Sequence, residues 1–99
     1  MEDFELRRQI LLAFQVALLG MISPHLRGVT VGWDSSSIAG IFFYDGFVSD
    51  ADEEVVSDVE AEIIASFPNF TINLKAKRHD QSKSLSDEGF KAWVYCRME

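Results

Sequence analysis

Residues 45–62, DGFVSDADEEVVSDVEAE, hold eight carboxylates and neither Lys nor Arg, yet apolar residues recur through the same stretch at helical spacing. That combination requires a helix with two unlike faces. Val55 and Val56, then Val59, Ile63 and Phe67, recur at three- and four-residue steps and form a stripe suited to packing on a core. Asp50, Glu54 and Asp58 fall on the opposite side, with Glu53 and Glu60 flanking them. The start is signalled twice. Ser49 followed by Asp52 approximates a capping box, Asp50 followed by Glu53 repeats the device one residue later, and Asp50, Asp52, Glu53 and Glu54 crowd the turn where the helix dipole favours anions. Pro68 ends the helix.

The formal charge of the chain is −7, so the −8 of this stretch leaves every other residue together at +1. A face that merely solubilises usually mixes signs and gains i,i+4 pairs, whereas a single-sign ridge repels itself and is mainly useful for steering a partner of opposite sign. The ridge therefore predicts a docking surface for something basic, the plainer alternative being a solvated helix face. The same charge balance speaks against nucleic acid as a partner, because phosphate binding needs clustered Lys and Arg.

Ninety-nine residues, 47% of them hydrophobic, suit one globular domain over 1–99 with one core. The lone Cys96 allows no intramolecular disulfide, which agrees with a cytoplasmic location. Arg7 and Arg8 before the apolar run Ile10 to Ile22 imitate a secretory signal, but Glu2, Asp3 and Glu5 offset them and no clear cleavage site follows. A membrane span needs about 20 apolar residues and this run is shorter, so a buried helix from Asp3 to Gly20 or Ile22 is expected. Its second half is apolar nearly all round, which implies that it either sits deep in the domain or meets a second subunit.

After Ser23 and Pro24, Arg27 to Trp33 alternates as a strand, Asp34 to Ser37 forms a polar turn, and Ile38 to Tyr44 resumes as a second strand, giving a hairpin. Gly28, Gly32 and Gly40 match no phosphate loop and read as bulges or as room for a large ring. Asp45 and Gly46 turn the chain into the acidic helix. Phe70 to Arg78 is a clean strand with Phe70, Ile72, Leu74 and Ala76 on one side and Thr71, Asn73, Lys75 and Lys77 on the other. His79 to Phe90 has the composition of a mobile loop. The last strand, Ala92 to Met98, should turn Val94, Cys96 and Met98 inward and leave Trp93 and Tyr95 on the wetter face with Lys75 and Lys77, unless a helix covers them. The order α-β-β-α-β-β predicts a single α+β domain: a four-stranded, mainly antiparallel sheet with two helices packed on one face.

Catalysis is not expected. Neither His25 nor the Ser residues near His79 have the surroundings of a nucleophile or base, and no second His or Cys stands at metal-ligand spacing. Asp50, Asp52 and Glu54 resemble the start of a calcium loop, but its required Gly is replaced by Val55. Cys96 reads as a buried, inert thiol. No cofactor and no metal are implied.

ALLGMISPHLRGVTVGW at Ala17 to Trp33, IFFYDGFVSDADEE at Ile41 to Glu54 and VEAEIIASFP at Val59 to Pro68 together resemble small bacterial immunity proteins of contact-dependent growth inhibition and related polymorphic toxin systems. The likeness covers roughly the first two thirds of the chain and carries no binding set that maps onto these positions. It implies a partner, a cognate toxin domain, in many such systems a basic nuclease. On that reading Asp45, Asp50, Asp52, Glu53, Glu54 and Asp58 meet the toxin's basic residues, and Trp33, Tyr44 and Trp93 are candidate aromatic anchors that could equally be core. The alternative is a non-catalytic structural domain that self-associates as a homodimer through the apolar first helix or the aromatic strands.

Overall fold

A computed structural model describes residues 3–80 and 90–98. The acidic stretch is a helix, α2 (Asp50–Ser66), and the apolar N-terminal run is a second, α1 (Asp3–Ala17). Four strands complete the domain: β1 (Leu26–Trp33), β2 (Ser37–Tyr44), β3 (Thr71–Arg78) and β4 (Ala92–Cys96). They form one sheet in the order β3-β2-β1-β4. The expected α+β architecture and element order are both present.

The sheet is mixed. β1 pairs antiparallel with β2 on one side and with β4 on the other, but β2 and β3 run parallel in register from Ser37 opposite Thr71 to Tyr44 opposite Arg78. The reason lies in α2: a helix lying across the sheet carries the chain back to the end where β2 began, so the next strand joins β2 in parallel. β3 and β4, expected to be neighbours across a polar loop, consequently occupy opposite edges. The segment between them, expected as a mobile loop over 79–90, lies from 81 to 89 outside the described residues.

Both helices cover the same face. Leu6, Ile10, Phe14, Ala17 and Leu18 of α1 and its last turn join Val56, Val59, Ile63 and Phe67 from α2, over Val29, Val31, Ile38, Phe42 and Leu74 of the sheet. α1 stops sooner than its apolar run suggests, because Gly20 adopts φ +77°, a left-handed conformation suited to glycine, and the carbonyls of Phe14, Val16 and Leu18 are used in a closing turn. At the hairpin, one Asp34 carboxylate oxygen accepts from the backbone amides of Ser36 and Ser37, both at 2.8 Å, and from both hydroxyls. The Ser36 amide first and then the Ser37 contacts hold Asp34 below its usual carboxylate range.

One expectation about β4 is overturned. The ladder passes from Val29 opposite Tyr95 to Thr30 opposite Trp93, leaving Val94 as the extra residue of a bulge. Face parity changes there, so Val94 and Tyr95 both pack toward the helices, whereas Cys96 and Met98, expected inside, are exposed. Trp93 packs on the other face against Ile41 and Phe43. Its ring lies 2.9 Å from where a Cβ would stand at Gly28, which accounts for that glycine.

Candidate partner-binding surface

The surface begins at the helix cap. Ser49 is the N-cap of α2: its hydroxyl accepts from the Asp52 amide at 3.1 Å, and its own amide donates to the Asp52 carboxylate at 2.9 Å, completing the capping box. The same Asp52 oxygen lies 2.8 Å from His25 Nε2, while His25 Nδ1 lies 3.2 Å from the Ser23 hydroxyl. Behind the imidazole stands Tyr44, ring centroids 5.0 Å apart. Burial opposes ionisation of Asp52, but the hydrogen bonds from His25 and Ser49 outweigh it and keep the carboxyl below its usual range. Burial, reinforced by the nearby charges of Asp52 and Glu53, pushes the Tyr44 hydroxyl up to about 12. The cluster clasps the turn before β1 to the first turn of α2.

Asp52 and Tyr44 are thus inside, although the sequence groups them with the docking residues. Asp45 is half-buried and turned toward Arg97, 3.6 Å away. Glu60, a flank of the ridge on the helical wheel, instead reaches sideways and accepts from the Leu74 amide of edge strand β3 at 2.8 Å. Asp50, Glu53, Glu54 and Asp58 remain exposed on the outer side of α2. Among the described residues none of these four is ion-paired.

The aromatic candidates separate. Trp33 is buried at the hairpin end of β1, with Lys91 Nζ 4.9 Å and the Arg7 guanidinium 5.7 Å from its ring. Trp93 is half-buried on the sheet face opposite the helices, its ring 6.0 Å from Phe43. Neither adjoins the ridge. The aromatic that does is Phe47, 77% exposed in the turn that leads into α2. Sequence patterning passes over it because a single Phe between Gly46 and Val48 belongs to no period; the available signal was a large apolar side chain inside a turn.

Among the described residues no group of His, Cys, Asp or Glu could hold a metal ion, and no helix is long and apolar enough to cross a membrane. The surface consists of a capped helix that presents four exposed carboxylates without ion pairs among the described residues, with the exposed Phe47 at its foot. A comparison with curated proteins returns no match. The sequence model of the MafI2 immunity protein family matches residues 7–99, so its match includes the segment after Pro68, where the resemblance read from the sequence ends, and the chain belongs to the MafI2 immunity protein family.

Proposed function

We propose that this immunity protein neutralises a basic, nuclease-type toxin domain of a contact-dependent or related polymorphic system by docking the outer face of α2 onto it. The observation that carries the reading is the row Asp50, Glu53, Glu54 and Asp58, exposed and without ion pairs among the described residues. A single-sign ridge accelerates encounter with a cationic partner, and carboxylates held on a helix can occupy positions that substrate phosphates would take. Phe47 supplies a large apolar contact beside them, of the aromatic class enriched in interface cores. Trp93 remains an anchor candidate only for a partner that also reaches the other sheet face. Asp52, Tyr44 and Asp45 support the surface from behind.

On this reading the protein acts in the cytoplasm as a stoichiometric, non-catalytic inhibitor, needs no cofactor or metal, and engages neither nucleic acid nor membrane. The Ser23, His25 and Asp52 chain, despite its triad-like order, serves as a clasp, because its acid is committed to capping α2.

The test is co-expression with the toxic domain encoded beside the gene, scored by growth, together with titration of the purified pair at several salt concentrations. Wild type should rescue growth. Glu54→Lys combined with Asp58→Lys should weaken binding by about tenfold or more at low salt and flatten the salt dependence. Unchanged affinity and an unchanged salt slope would sink the role given to the ridge, and absence of both rescue and complex would sink the toxin assignment.

A further inference from the structure

The outer side of α1 and the turn after it carry five large exposed apolar side chains, with Glu5, Arg8, Gln9 and Gln15 among them. Phe4 is 73% exposed, Leu12 55%, Val16 65%, Leu19 74% and Ile22 46%, and together they present roughly 500 Å² of apolar surface. That sum is well over half of the about 800 Å² each partner contributes to a standard interface. At the C-terminal end of the stripe lies a cavity of about 200 Å³ lined by Gln15, Leu18, Leu19, Ile22, Val94 and Tyr95. A protein cavity of about 150 Å³ takes a benzene ring, so this one is large enough for a Phe side chain.

We infer that α1 is a homodimer interface: two copies pack their first helices antiparallel about a twofold axis at Leu12, and Phe4 of each copy fills the Leu18–Leu19–Ile22 cavity of the other. Three observations carry this. The knob and the hole lie on opposite sides of Leu12, Phe4 eight residues before it and Leu18 and Leu19 of the hole six and seven after it, in the turn that closes α1, which is the arrangement an isologous contact requires. The steps Leu12, Val16, Leu19 alternate four and three, the ridge spacing of a shallow crossing near about 20° that keeps helix ends in contact. Finally, the surface avoids the repulsion that a chain of −7 would otherwise meet in a second copy. From Phe4 to Ile22 the only carboxylate is Glu5, bonded to Arg8 at 2.8 Å, and the Arg8 stem can lie along the partner's Val16. The inference does not depend on the toxin reading, because the acidic ridge is on a different helix.

Sedimentation equilibrium across micromolar to millimolar protein tests it. Wild type should reach twice the 11.2 kDa chain mass, and added salt should leave the dimer unchanged or tighten it. Leu12→Glu places two carboxylates face to face at the axis and should raise the dimer dissociation constant at least a hundredfold while helix content by circular dichroism stays native. Leu12→Lys should do the same alone, and an equal mixture of the two variants should dimerise again, because the charges then oppose one another across the axis. Phe4→Ala should weaken the dimer about tenfold. A wild type that stays monomeric throughout, or a Leu12→Glu protein that still dimerises, overturns the inference. So does a monomer whose toxin affinity falls with Leu12→Glu, an outcome that would give the stripe to the toxin. Glu54→Lys with Asp58→Lys should leave the dimer intact, which keeps failure of the ridge separate from failure of the stripe.

Discussion

α1 and α2 lie on one sheet face, bury matching stripes in the same core, and differ almost entirely on their outer sides. α2 turns Asp50, Glu53, Glu54 and Asp58 to water, whereas α1 turns Phe4, Leu12 and Val16 outward beside Arg8, Gln9 and Gln15, and Leu19 follows in its closing turn. The inner faces decide that these segments are helices of this domain. The outer faces are free of that constraint. A charged face acts at long range and is weakened by salt, and an apolar face acts only on contact and is not. One small domain thus presents two surfaces that a salt series can tell apart.

The largest effect should come from breaking what the helices share. Phe14→Ala in α1 and Ile63→Ala in α2 each empty a fully buried position of the common core, and should cost about 3–5 and about 2–5 kcal/mol respectively by urea unfolding. Leu12→Ala on the outer side of α1 should cost the isolated chain less than about 1 kcal/mol at concentrations too low for self-association. If the Leu12 variant proved as damaging as the Phe14 variant, the outer stripe would be structural and the contrast between the helices would vanish.

The inner faces were also the legible part of the sequence. Periodicity gives both helices, the β1–β2 hairpin and the alternation of β3, because a core imposes its spacing on whatever packs against it. Three features escaped it. The parallel β2–β3 pair follows from where α2 lies rather than from any residue in either strand. The bulge at Val94 sends Cys96 and Met98 outward although the sequence alternates without interruption. Asp52 reads as one more acid of the ridge, and only the approach of His25, 27 positions earlier, shows that it is enclosed. Long-range contacts of that kind leave no local period. The ridge itself was legible in Asp50, Glu53, Glu54 and Asp58, but its aromatic neighbour Phe47 was not.

A middle-sized effect should come from Asp52, the one acid of α2 that faces inward among the first-turn carboxylates. Asp52→Ala removes the N3 side of the capping box and leaves His25 Nε2 and the Ser49 amide without their acceptor, at about 1–2 kcal/mol. The pH dependence has a definite sign. Because the folded-state pKa is held below the unfolded value, the ionised carboxylate stabilises the protein above about pH 4, and the contribution is lost as pH falls through and below that value. The stability gap between wild type and Asp52→Asn should therefore narrow as the solution is taken from about pH 5 toward about pH 2. A gap that held constant or widened would mean that Asp52 is not ionised in its clasp.

The smallest effect on stability should come from neutralising the ridge. Glu53→Gln, Glu54→Gln and Asp58→Asn together remove three exposed charges without ion pairs among the described residues, so unfolding free energy should change by no more than about 0.5 kcal/mol, with a slight gain at low salt as self-repulsion is relieved. Binding should respond in the opposite proportion. If the ridge steers a basic toxin, the association rate at low salt should fall by about tenfold or more, the dissociation rate should change less, and the two proteins' association rates should converge as salt rises. A triple variant that folds as well as wild type yet loses only its fast, salt-sensitive approach would place the carboxylates outside the economy of the fold. A variant that gained several kcal/mol would instead show that the ridge strains α2, and one that lost as much would show that it helps hold the helix. Either result would erase the distinction between an inner face that builds the domain and an outer face that recognises a partner.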